Sequence, residues 1–232
     1  MQQYTVPPQV EHRESRRLGD RKFEADPTTT ALVVIDMQNY FVADGYQAQV
    51  PLASGLVPKI NEAAQALRKA GGRVIWIRTT AVDALRHWAR HHQEGLAPQV
   101  ARHRLTSLAP DAEGYQLFPG LDISGADAVI DKIKFSAFAP DSSRLDSHLR
   151  EHGIETVVIA GVLTNVCCES TARDAMMRDY RVVMLSDANA AMSVEEHSGA
   201  LNSFRLFFGR VMDVGTLNAC WRGRAHAIRP QP

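Results

Sequence analysis

Residues 31–35, A-L-V-V-I, form an unbroken apolar run of the kind expected for a strand buried on both faces of a parallel sheet. Comparable runs recur at 74–77, 128–130, 157–160 and 182–185, with a shorter one at 211–212. Between them the period lengthens. Leu56, Ile60, Ala63, Ala64 and Leu67 share a helical stripe that Gly71-Gly72 ends. Further helices are predicted at 145–152, closed by Gly153, and at 167–178, 194–207 and 214–221. Strands alternating with helices at this spacing make βαβ units. We therefore expect an α/β fold of three α/β/α layers around a six-stranded, mainly parallel, doubly wound sheet.

Two segments depart from that rhythm. Residues 1–29 are polar, charged and proline-bearing without a sustained period, and read as an N-terminal arm, disordered or laid over a neighbour. Residues 30–232 read as a single domain. Within it, 79–125 is too long for an ordinary connection. It is predicted to hold short helices at 83–91 and 99–108 and to act as a lid or wall over the carboxyl edge of the sheet.

Composition narrows the function. A chain of 232 residues, 45% hydrophobic, suits one full-sized core. Lys plus Arg equals Asp plus Glu at 26 each, so no net field recruits nucleic acid or an anionic membrane. Three cysteines without a C-x-x-C argue against a disulfide framework and against structural zinc. The first residues show no basic segment followed by an apolar one, and no apolar run approaches the roughly 18 residues of a membrane span. A soluble, cytoplasmic protein is the expectation.

Chemistry gathers where strands end. The first runs into Asp36 (I-D-M-Q-N), the third into Lys132 (V-I-D-K-I-K-F-S-A-F), and the fourth leads through G-V-L-T-N-V to Cys167. An acid, an amine and a thiol on one sheet edge suit attack on a carbonyl. A helix N-terminus favours the thiolate of Cys167, Asp36 can take the thiol proton, and the ammonium orients the acid. Neighbouring helix residues point about 100° apart, so Cys168 faces elsewhere and is expected to pack. Lys134, two residues on, shares a strand face with Lys132 and is the alternative amine.

These motifs, D-M-Q-N, K-x-x-x-S-A-F and A-G-V-x-T-N-V-C-x-E-S-T-A-R-D-A, resemble the isochorismatase-like cysteine hydrolases, in particular the amidase and ureide hydrolase branch that includes the ureidoacrylate amidohydrolases. The resemblance runs from about residue 31 to 221. It implies strand order 3-2-1-4-5-6, with Asp36 as general base, Lys132 as its cationic partner and Cys167 as nucleophile. It also implies a cis peptide between Val162 and Leu163, an oxyanion held by the N–H groups of Leu163 and Cys167, and a dimer or tetramer. In that order Lys132 must reach the other two across the second strand.

The resulting expectation is a hydrolase of C–N bonds in a small amide, ureide or carbamoyl compound, acting through a thioester without a cofactor. Alternatives are vinyl-ether hydrolysis of an isochorismate-like molecule and a non-catalytic member retaining the fold. A flavodoxin-like module would need a glycine-rich phosphate loop, which D-M-Q-N-Y-F-V lacks. Some members of the family, the nicotinamidases, hold a metal through Asp-x-His and a further His. Here Asp83 is followed two residues later by Leu85, so no metal is expected, although His87 and His91 have i, i+4 spacing. Arg86, His87, Arg90, His91, His92, Arg102, His103 and Arg104 suggest a cationic mouth for an anionic substrate. Asn39, Tyr40, Trp76 and Thr164, near strand ends, are candidates to line the pocket. Tyr40 departs from the family's commoner acid at that position.

Overall fold

The apolar runs pair into one sheet of strands β1 (Thr30–Ile35), β2 (Arg73–Thr79), β3 (Ala128–Lys132), β4 (Thr156–Val162), β5 (Arg181–Ala190) and β6 (Arg210–Met212). The computed structural model describes residues 2–221, so Met1 of the arm and residues 222–232 of the expected domain lie outside the described residues. The order is β3-β2-β1-β4-β5-β6 and every pair is parallel, as expected. Around it lie α1 (Pro8–Leu18), α2 (Asn39–Val42), α3 (Val57–Lys69), α4 (Ala84–His87), α5 (Ala89–Gln93), α6 (Pro98–Ser107), α7 (Leu145–Glu151), α8 (Glu169–Met176), α9 (Val194–Phe207) and α10 (Val214–Trp221).

Alternate side chains of β1 divide between the two faces of the sheet. Leu32 and Val34 pack with Ile60, Ala64 and Leu67 of α3 and Leu217 of α10, whereas Val33 and Ile35 pack with Leu149 of α7, Ala172 of α8 and Phe204 of α9. Both faces are covered, which is why all of β1 is apolar apart from Thr30. Full burial of each such Val, Leu or Ile contributes about 1.5–3 kcal/mol.

Two irregularities aim the carboxyl ends of the central strands. Gly161 has φ +113°, and a Cβ there would lie 2.0 Å from the carbonyl oxygen of Ile35. Only glycine lets β4 approach β1 so closely. On the other side, β4 pairs Ile159 with Met184 and then Gly161 with Asn189, a register jump in β5. The Asn189 amide fills the gap by donating to the carbonyls of Ile159 (3.0 Å) and Leu185 (2.6 Å). This carries β5 well past the 182–185 run, through a polar stretch with no strand pattern of its own.

The N-terminal segment differs from the arm expected of it. It contains α1, laid over the chain's own α9. Buried Glu14 pairs with Arg205, and the Arg17 guanidinium donates to the carbonyl of Arg205 at 2.9 Å. Gln2 is buried and clasps the backbone of Ala191, its amide donating to the carbonyl at 2.9 Å and accepting the N–H at 3.1 Å. Ion pairs and side-chain hydrogen bonds, which leave no apolar period, hold the segment together with buried Val10 and Ala25.

The predicted helix at 83–91 is broken at Trp88 (φ −146°, ψ 41°) into α4 and α5. The insertion is stitched to the segment just after β1: Asn39 N–H donates to the carbonyl of Gln116 (2.9 Å) and Phe118 N–H to that of Met37 (2.8 Å). It therefore lies at the carboxyl edge of the sheet.

Gly161→Ala is expected to cost more than about 2 kcal/mol, because both the left-handed backbone and the carbonyl of Ile35 oppose a side chain. Urea denaturation measures this; a change below about 0.5 kcal/mol would contradict the contact.

Candidate active site

Asp36 is the first residue past β1, with φ +56° in the left-handed region that Asp tolerates, and its N–H donates to the carbonyl of Ile77 at 3.0 Å. Lys132 ends β3, in register with Thr79 of β2. Its Nζ donates to Asp36 Oδ2 at 2.9 Å, to Thr79 Oγ1 at 2.7 Å and to the carbonyl of Lys134 at 3.2 Å, and lies 3.6 Å from Cys167 Sγ. Thr79 in turn donates its hydroxyl to Asp36 Oδ1 at 2.8 Å. The intervening strand is therefore no barrier. It supplies a hydroxyl that joins the acid and the amine across it.

Thr79 was not legible as a site residue, and neither was the side chain that holds it. Gln38 accepts Thr79 N–H at 2.7 Å and donates to its carbonyl at 3.0 Å, replacing a strand partner with an amide. The only signals are the Gln of D-M-Q-N and the position of Thr79 two residues beyond an apolar run. Lys134 points elsewhere, donating to the carbonyl of Pro140 at 2.5 Å.

Cys167 sits in a wide π-type turn, Thr164–Cys168, that leads from β4 into α8, rather than being the first residue of the helix predicted at 167–178. The peptide between Val162 and Leu163 is cis. The carbonyl of Leu163 accepts N–H groups from Val166 and Cys168, on either side of Cys167, both at 3.1 Å. Cys168 is fully buried, its thiol directed at the carbonyl of Ala160 at 4.0 Å.

The charges differ from a resting thiolate. Burial pushes the Cys167 thiol up to about 12; Lys132 pulls against this, while hydrogen bonding to the Asp36 carboxylate adds to it. At neutral pH the sulfur keeps its proton beside a carboxylate. Burial also opposes charge on Lys132, yet the Asp36 carboxylate holds the ammonium above its ordinary value. The outcome is a buried ion pair next to a thiol.

The four candidate pocket residues separate. Trp76 is core: it is fully buried and its indole N–H donates to Asp127 at 2.8 Å, just ahead of β3 and hence toward the amino edge. Asn39 is spent on the insertion, donating to the carbonyl of Glu113 at 2.9 Å. Thr164 is buried against His197, Oγ1 to Nδ1 2.8 Å. The other nitrogen of His197 faces the carbonyl of Ser186 at 3.1 Å, so Nε2 carries the proton and Nδ1 accepts from the Thr164 hydroxyl. Tyr40 lines a cavity of about 270 Å³ with Gln47, His91, Val100, Arg104 and Phe135.

The mouth is less cationic than its composition suggests. Burial, with Arg104 and His92 nearby, pushes His91 down to about 4, so it is neutral at pH 7 and stacks on Trp88 at 3.8 Å. His87 lies on a different short helix, 3.7 Å from Asp141. The two imidazoles therefore do not share the helix face their spacing suggested.

The isochorismatase domain family matches residues 30–216, from the first residue of β1 into α10. The chain belongs to the isochorismatase family. Among its relatives is the ureidoacrylate amidohydrolase RutB of Methylorubrum extorquens, 34% identical over 213 residues, covering 85% of this chain and 84% of that one. A solved cysteine hydrolase from Pseudomonas syringae pv. phaseolicola 1448A superposes with a TM-score of 0.77 at 28% identity, over 87% of this chain and 96% of that one. The N-carbamoylsarcosine amidase of Thermoplasma acidophilum has a TM-score of 0.61 at 27% identity, over 80% and 95%. The isochorismatase-like architecture expected from the motifs is thus the fold of this chain.

Because the folded Cys167 thiol titrates near 12, above its ordinary 9.0, it stays protonated through the neutral range. The rate of Cys167 alkylation by iodoacetamide, followed by peptide mass spectrometry, is expected to rise continuously through pH 10. A plateau below pH 8 would contradict this electrostatic arrangement. By linkage the same shift stabilises the fold below pH 9 and is lost as pH rises toward 12.

Proposed function

We propose that this protein hydrolyses a C–N bond in a small amide, ureide or carbamoyl compound through a thioester on Cys167. The observation that carries the reading is the buried Lys132–Asp36 pair with its ammonium 3.6 Å from the sulfur. As Cys167 Sγ attacks the carbonyl carbon, its proton passes to Asp36, the C–S bond forms and the carbonyl π pair moves to oxygen. The N–H groups of Leu163 and Cys167 hold that oxyanion, at about 3 kcal/mol per donor. Collapse breaks the C–N bond, and the leaving nitrogen takes the proton from Asp36. A water, losing its proton to Asp36, then cleaves the thioester and restores the thiol. Lys132 keeps its charge throughout, and Thr79 keeps the carboxylate turned toward the sulfur.

The substrate is anionic on this reading. Arg104 lines the cavity, acts electrostatically on both Cys167 and Lys132, and pairs with no carboxylate among the described residues. At about 270 Å³ the cavity falls just below the range typical of drug-sized ligands, which favours a small acid. RutB relatives are named for ureidoacrylate, a compound of this class.

Cys167→Ala is expected to abolish turnover while retaining the folded circular-dichroism spectrum, and quenched wild-type reactions are expected to carry an acyl adduct on Cys167. Turnover surviving in Cys167→Ala, with no adduct on the wild type, would overturn the thioester mechanism. Arg104→Gln should raise KM for carboxylate-bearing ureides by about tenfold or more, with little change for neutral amides. Equal effects on both substrate types would remove Arg104 from substrate binding.

A further inference from the structure

Residues 148–152 read H-L-R-E-H, a spacing that places two imidazoles at i and i+4 and a carboxylate between them on one turn. They occupy the end of α7 and its C-cap. The structure brings ligand atoms of His148, Glu151 and His152 all within 4.8 Å of one another, with the two rings 4.4 Å apart. Leu145 and Leu149 on the other side of α7 are fully buried, so the three side chains stand on a helix whose position is fixed by the core.

The details suit a metal. His152 Nδ1 donates to the carbonyl of His148 at 2.8 Å, which fixes the tautomer with its lone pair on Nε2, as is common for metal-binding histidines. The guanidiniums of Arg144 and Arg73 act electrostatically on His148. Those two guanidiniums also oppose a cation, and the Glu151 carboxylate is the negative charge that offsets them. Two imidazoles and one carboxylate suit zinc and other late first-row divalent ions better than calcium or magnesium, and leave a fourth tetrahedral position open.

We propose that His148, Glu151 and His152 form a binding site for a late first-row divalent metal ion such as Zn²⁺. The site stands apart from Cys167: α7 leads through Gly153 to the amino end of β4, whereas the thiol lies past the carboxyl end of that strand. An ion there ties the last turn of α7 together without touching the reacting groups.

Co²⁺ serves as the probe because its spectrum reports its ligands. Titration into the full-length protein is expected to show one saturable equivalent without the sulfur-to-metal charge-transfer band that ligation by Cys167 would give. His148→Gln and His152→Gln should each weaken binding at least about tenfold, and Glu151→Gln by about tenfold, while Tm in chelator stays near that of the parent. Zn²⁺ should raise Tm of the parent and not of His152→Gln. Unchanged affinity in any of the three variants, or a thiolate band on the bound Co²⁺, would overturn the site.

Discussion

Everything at the carboxyl edge depends on one buried ion pair. Lys132 and Asp36 are both removed from water, and burying either alone would cost several kcal/mol. The pair is tolerable because each partner is also hydrogen-bonded: the ammonium to Thr79 and the carbonyl of Lys134, the carboxylate to the Thr79 hydroxyl. The pair and its partners come from the end of β1, from β2, from β3 and from the loop beyond β3, so the sheet must be correctly assembled before the charges can be sheltered. Asp36 then faces two protons of different character, one on nitrogen that it holds and one on sulfur that it can take.

This arrangement alters the role usually given to a thiol near a helix start. A free thiolate in a dry pocket would add a second negative charge beside Asp36. The thiol avoids that repulsion, and on the proposed mechanism its proton leaves only when a carbonyl is present to receive the electron pair. The buried triad therefore holds one positive and one negative charge beside a neutral sulfur.

The fold was largely legible because burial on both faces forces strands to be continuously apolar, and the cores of β1, β2 and β4 declare themselves that way. What escaped had no apolar signature. The extension of β5 through S-D-A-N-A is held by the Asn189 amide, and α1 is held by Glu14 and Gln2. At the site, Asp36, Lys132 and Cys167 announced themselves as reactive types at strand ends and by the motifs around them. Thr79 and Gln38 did not, since a hydroxyl and an amide acquire meaning only from the groups that the topology places opposite them. Trp76 misled because proximity in sequence to a strand end does not say which way along the strand its indole leans.

The seating of α1 on α9 bears on how the chain is made. Gln2 finds Ala191 across 189 residues, and Arg17 reaches Arg205 across 188. A ribosome releases the first helix long before its seat exists, so α1 waits without a surface while the sheet is built behind it. Its polar character suits that interval: a helix sustained by charge can remain in water without sticking to unfinished strands. Because α1 is made before α9, it can take its seat only once α9 has formed.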